Sequence, residues 1–312
     1  MNKQIVAGET GFFPEFSSFQ SGYEDGKSQV VWTRLVADLE TPVSAFLKLT
    51  QSDDGAARSD QSTSVSGNHF LLESVEGGAV RGRYSVIGLK PDVIFRSQGE
   101  HAEINEQCLT GGDDFNPLSE PTLDAIRTLL ERSRIDLPPE LPPMAAGVFG
   151  YMGYDNVRLM EHLPDENPDV LDVPDTIFIR PTIMVIFDAV KDEMVMVHRV
   201  DVKDGVSGEQ AYQDALDNLQ SAILDLNAPV PHQAHIETVE DVFEEPSSNT
   251  THQQYLEMVS KAQDYIKAGD IFQVVLSQRF SAPFDLPPFS LYRALRRTNP
   301  SPFLYYLNFA GF

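Results

Sequence analysis

The chain has 312 residues, of which 41% are apolar, 10% aromatic and 22% charged, the composition of a globular protein of two domains or one large α/β unit. With 47 acidic residues against 23 basic ones it carries a net charge of −24, which argues against nucleic-acid backbones and anionic membranes as partners but not against a small anionic substrate held by a few local arginines. The single cysteine, Cys108, excludes an intramolecular disulfide framework and a cysteine-based zinc site; with no signal-peptide core and no apolar run of transmembrane length, the expected location is the cytoplasm.

Residues 1–28 read as a lead segment. Residues 29–36 predict a strand and residues 42–49 a helix, with Thr41 as N-cap, Pro42 at the first helical position, and Val43, Phe46 and Leu47 as its apolar stripe. Residues 51–67, rich in Ser, Asp and Gly, predict a surface loop. A β-rich block follows, with strands over 69–75, 84–89 and 93–97 and a turn at Gly77-Gly78. A helix is expected over 123–132, carrying Leu123, Ile126, Leu129 and Leu130 on one side. After the glycine-punctuated run 145–154 come strands over 177–188 and 193–200, then a helix capped by Ser207 and reaching Leu226. These elements make 29–226 one domain.

Residues 227–251 combine Pro229, Pro231 and Pro246 with Glu237, Glu240, Asp241, Glu244 and Glu245, and read as an acidic linker without chemistry of its own. A second domain opens at 252. Thr250 or Thr251 caps a helix that Gly269 closes, a strand is expected over 271–280, and a helix over 289–298 leads to a last strand over 303–309. That last strand is aromatic and apolar, as if buried on both faces, and Ala310-Gly311 opens a turn with no returning strand behind it. The expectation is that these residues form the front part of a longer protein.

No Walker A loop, G-x-G-x-x-G, H-E-x-x-H or G-x-S-x-G motif occurs. The glycines of 147–154 suit close backbone approach better than a phosphate loop, and His232 and His235, in the linker without a cysteine, make a poor metal site. Three segments carry more. In 70–75, strand alternation sets Phe70, Leu72 and Ser74 on one face and Leu71, Glu73 and Val75 on the other; the residues alone favour a core serine bonded to backbone over a pocket hydroxyl. In 268–280, Gln273, Ser277 and Arg279 share a strand parity, suiting either an anion site or an exposed sheet face. In 299–305, Pro300 and Pro302 stiffen a corner that suits the wall of an apolar pocket, while Arg293, Arg296 and Arg297 either steer anions or complement a helix dipole.

Taken together these segments resemble the anthranilate synthase component I family. The resemblance rests on Leu71-Leu-Glu-Ser74 with Gly82-Arg-Tyr-Ser-Val-Ile-Gly88, on Gly150-Tyr-Met-Gly-Tyr-Asp155 with Glu161-His-Leu-Pro164, on Ala268-Gly-Asp-Ile-Phe-Gln-Val-Val275 with Ser277-Gln-Arg-Phe280, and on Asn299-Pro-Ser-Pro-Phe-Leu-Tyr305. It implies an α+β fold of antiparallel-rich sheets flanked by helices, with a regulatory domain over 29–226 and the start of a chorismate-binding catalytic domain over 252–312. It implies conversion of chorismate and ammonia to anthranilate and pyruvate, with Mg²⁺ as cofactor and ammonia drawn from glutamine by a partner amidotransferase subunit. It further implies feedback inhibition by L-tryptophan in a pocket lined by Ser74 and Glu73 from one side and Pro302, Phe303 and Leu304 from the other. Leu304 departs modestly from the family, some members of which carry Met there. The family's catalytic groups and magnesium ligands are expected beyond residue 312, so no catalytic or metal residue is assigned and these residues alone are expected to be inactive. Aminodeoxychorismate synthase component I, which shares the architecture, and a non-catalytic amino-acid-binding module remain as alternatives.

Overall fold

The computed structural model describes residues 11–56, 67–74, 82–164, 168–231 and 245–309, with 51–56 as backbone only. The expected Gly77-Gly78 turn, His232 and His235, the acidic residues 237–244 of the linker and Ala310-Gly311 lie outside the described residues. Two compact units emerge: Met1–Pro231 together with Tyr292–Phe312, and His232–Leu291.

The elements of the first unit are, in chain order, β1 (Phe12–Phe13), α1 (Phe16–Glu24), β2 (Gln29–Val36), α2 (Pro42–Ala56), β3 (His69–Ser74), β4 (Tyr84–Gln98), β5 (His101–Asn105), β6 (Asn116–Pro117), α3 (Thr122–Ser133), β7 (Phe149–Met152), β8 (Thr176–Asp188), β9 (Glu193–Val200) and α4 (Gly208–Leu226). The second unit holds β10 (Ser247–Ser248), α5 (His252–Ala268) and β11 (Phe280–Ser281). Helix α6 (Pro288–Thr298) begins in the second unit and ends in the first, where β12 (Phe303–Asn308) follows.

The first unit is built on a sheet of strand order β1-β2-β9-β8-β4-β3-β12, with β5 and β6 continuing from β4 and β7 from β8; every pairing is antiparallel. Helices and an antiparallel sheet make this an α+β fold, as expected. Strand β8 is buried almost throughout because β4 runs along one side of it while β7 and β9 share the other. Val30, Trp32, Phe70, Val86, Ile94, Ile179, Met184, Ile186, Val195 and Val197 form one continuous core. On α4 the Ser207 side chain accepts from the Gln210 N–H at 3.2 Å, and the stripe Ala211, Ala215, Leu219, Ala222 and Leu226 is buried. Ala125, Ile126 and Leu129 of α3 pack with Phe95, Ala102 and Ile104, whereas Leu130 points to solvent.

Several expectations are corrected. The strands expected over 84–89 and 93–97 are one strand, interrupted by a bulge between Pro91 and Val93, where Pro91 and the Pro181 opposite it have no N–H to give the ladder. Helix α2 runs on to Ala56, so the expected loop loses its first six residues; 57–66 lie outside the described residues. Helix α1 and strands β1, β5 and β6 were not anticipated. No strand forms over 271–279. Its β-branched residues signal strand propensity, but no neighbouring strand among the described residues pairs with them, and Phe272 is 95% exposed. Among the described residues β12 ends the strand order, paired with β3 alone, and Phe303 is 71% and Tyr305 69% exposed. No helix among the described residues is long and apolar enough to cross a membrane.

Candidate functional site

The two ends of the expected tryptophan pocket meet. Strands β3 and β12 pair antiparallel, with Ser74 opposite Phe303 and Glu73 opposite Leu304. The Ser74 hydroxyl donates to the Pro302 carbonyl at 3.3 Å, tying the proline corner to the end of β3. Strand alternation then divides the five predicted residues. Ser74 shares its face with Phe303, and beyond them lie Leu72 and Tyr305; Glu73 shares the opposite face with Leu304, followed by Leu71 and Tyr306.

On that second face Glu73 is only 4% exposed, and its carboxylate is fully engaged. The Tyr292 hydroxyl donates to Oε2 at 2.5 Å, while Arg296 donates through Nε to Oε2 at 2.9 Å and through Nη2 to Oε1 at 3.1 Å. Tyr292 and Arg296 lie one helical turn apart on α6, so one helix face delivers both donors. Burial, reinforced by the bond to Glu73, pushes the Tyr292 phenol well above the usual tyrosine range. A buried carboxylate survives at this position because a guanidinium and a phenol meet it in charge-assisted geometry. The surrounding packing is aromatic: Phe46 of α2 meets His69 and Tyr306 edge-on at 5.1 and 5.7 Å, and Tyr292 approaches Tyr306 at 6.0 Å. Burial holds the His69 imidazole neutral, with its pKa lowered to about 4.

Sequence reasoning offered Arg296 as an anion-steering or dipole residue and missed Tyr292. Both find their partner more than 200 residues away, and no local pattern points there. The row Gln273, Ser277 and Arg279 does not form a site wall. Gln273 and Ser277 are exposed, and the Arg279 N–H donates to Asn249 Oδ1 at 2.8 Å outside any strand. The reading of the glycine run as close backbone approach holds at Gly150, where a Cβ would overlap the Ile177 carbonyl oxygen of the paired strand.

A second charged cluster is self-satisfied. Arg180 holds Asp92 through two bonds of 2.8 Å, Arg199 holds Asp201 at 2.7 and 2.8 Å, and Arg199 also donates to the Ser133 carbonyl at 2.7 Å. With every charge matched, the cluster stiffens the sheet and offers no free group for chemistry. Among the described residues no group of three or more His, Cys, Asp or Glu side chains is placed to hold a metal ion.

Comparison with known proteins gives the chain a family. Residues 68–312 match the family described as chorismate binding enzyme, and the chain belongs to that family. It is 47% identical over 297 residues to anthranilate synthase component 1 of Cereibacter sphaeroides, covering 95% of this chain and 57% of that protein. It is 38% identical over 307 residues to the protein of the same name from Synechocystis sp., covering 95% and 56%. Thus the chain spans a little over half the length of the curated relatives it matches. Among solved structures, anthranilate synthase component I from Streptococcus pneumoniae TIGR4 superposes with a TM-score of 0.54 at 24% identity, covering 85% of this chain and 52% of that one, a likeness of fold.

Proposed function

We propose that this chain belongs to the large, chorismate-binding component of a cytoplasmic anthranilate synthase. The enzyme would convert chorismate and ammonia to anthranilate and pyruvate with Mg²⁺, taking its ammonia from glutamine through a partner amidotransferase. The observation that carries this reading is the 47% identity to the Cereibacter sphaeroides protein across 95% of the chain. In the same reading L-tryptophan is the feedback inhibitor. Ser74, Pro302 and Phe303 offer it a hydroxyl, a carbonyl and an exposed ring on one face of the β3–β12 pair. Glu73 and Leu304, behind that face, hold the corner in place. The 312 residues by themselves are inactive in this reading.

The test is an assay of the protein at the length of its relatives, given chorismate, ammonium and Mg²⁺. Equimolar anthranilate and pyruvate support the proposal. Formation of an aminated chorismate without pyruvate identifies the aminodeoxychorismate synthase reaction instead, and no turnover of chorismate overturns both.

A further inference from the structure

At the β1 end of the strand order, remote from the β3–β12 pair, lies a cleft of about 560 Å³ that none of the family-bearing motifs touches. Its walls are Phe13, Pro14, Trp32 and Pro138, with Arg34 and Glu193 among them. Phe13 and Trp32 are stacked at 4.8 Å with their planes 29° apart, forming a continuous aromatic wall. The Arg34 guanidinium carbon lies 5.4 Å from the centroid of the Trp32 ring.

Arg34 is the unusual member. Its Nε lies 3.6 Å from Glu193 Oε2, an ion pair too long to be a hydrogen bond, and Nε is buried without an acceptor. A guanidinium carries five donors in a flat fork, and among the described residues Arg34 uses none of them in a hydrogen bond. Arg34 and Glu193 also border an adjoining cavity of about 320 Å³, so the guanidinium is approached by open space from two sides. The first cleft alone is within the size range of small-molecule sites, roughly 300–1,000 Å³, and combines apolar walls with one charged group, as such sites do.

We propose that this cleft binds a small aromatic carboxylate, its ring against Phe13 and Trp32 and its carboxylate accepting from the guanidinium of Arg34. A flat ring suits the stacked wall, and a single carboxylate suits one guanidinium already partly neutralised by Glu193. Glu140, exposed on the rim, disfavours more highly charged anions.

The probe is 3-phenylpropionate, titrated into the intact protein by calorimetry. The expected result is saturable binding with a dissociation constant on the order of 1 mM or tighter. Phenethylamine, with the same ring and the opposite charge, is expected to bind at least tenfold more weakly. Arg34→Met should weaken binding of the acid by tenfold or more, and Glu140→Gln should leave it equal or about twofold tighter. A purely structural Arg34, stacked on Trp32 for stability, predicts no preference between acid and amine. No saturable binding of the acid, equal affinity for the amine, or unchanged binding in Arg34→Met overturns the proposal. If Arg34→Met does not fold, the acid-against-amine comparison on the unaltered protein decides.

Discussion

The Arg296 guanidinium grips the Glu73 carboxylate through two hydrogen bonds of 2.9 and 3.1 Å, although 223 residues separate them in sequence. Removing the cation leaves a buried carboxylate with only a phenol to answer it. Arg296→Met is therefore expected to cost about 2 kcal/mol, less than the roughly 3–5 kcal/mol of a fully buried pair because the Arg296 side chain is 35% exposed. The Glu73→Leu, Arg296→Met double variant should lose less than Arg296→Met alone. Urea unfolding of the parent and the two variants measures this, and an Arg296→Met midpoint equal to that of the parent contradicts it.

The feedback reading makes a separate prediction at the neighbouring position. Ser74→Phe places a ring where a hydroxyl now meets the Pro302 carbonyl, filling the side of the corner that Phe303 leaves open. Tryptophan affinity of the intact enzyme, followed by calorimetry, should fall by tenfold or more while chorismate turnover without inhibitor is retained. Unchanged inhibition would remove the corner from the regulatory site.

Two buried imidazoles should make stability depend on pH. Burial lowers the pKa of both His69 and His198 to about 4, against an ordinary value near 6.5. Both are neutral in the folded protein at pH 5, while in the unfolded chain both are largely protonated. The unfolded state then binds more protons, so the stability these groups contribute is complete above about pH 6.5 and is lost as pH falls toward 4. Each imidazole contributes up to about 1.4 kcal/mol per pH unit in that window. Proton NMR titration checks the cause directly: imidazole resonances of His69 or His198 that titrate near pH 6.5 would refute it.

Cys108 should be inert in the native protein. Burial, with the charge of Asp92 adding to it, pushes its thiol up to about 11, and Sγ lies 3.0 Å from the Pro91 carbonyl, to which it donates. Labelling with iodoacetamide at pH 8 is expected to proceed only after denaturant is added.

Gly150 is a packing glycine. Gly150→Ala would drive a methyl into the Ile177 carbonyl and separate β7 from β8, at a cost of roughly 2 kcal/mol or more, readable as a lowered thermal midpoint.

What sequence alone disclosed follows the range of the interactions involved. Helix ends were legible because their chemistry is local: Ser207 and Thr251 cap from their own positions, Thr251 forms a reciprocal capping box with Gln254, and Gly269 takes the left-handed conformation that ends α5. The strand expected over 271–280 failed because propensity at Ile271, Val274 and Val275 says nothing about whether a partner strand is at hand. The β3–β12 corner was anticipated only through family resemblance, since nothing in residues 69–74 points to residues 303–308. Even then, alternation separated Ser74 from Glu73, and the partners of Glu73 became visible only once α6 was in place. The Trp32 cleft was missed altogether, because a stacked wall joining Phe13 to Trp32 depends on β1, a two-residue strand too short to leave a periodic signal.

The alternation that leaves Phe303 and Tyr305 open to solvent has a practical corollary for handling this protein. On β12 the side opposite β3 pairs with no strand among the described residues, so a ladder edge lies beside two exposed rings. Such an edge invites a neighbouring copy to add its own strand when these 312 residues are handled by themselves, and concentrated samples of them should self-associate through it. A lysine at Tyr305 acts as a gatekeeper there: it keeps the extended backbone, spares the Ser74–Pro302 bond two or more residues away, and places a charge where a second copy would have to dock.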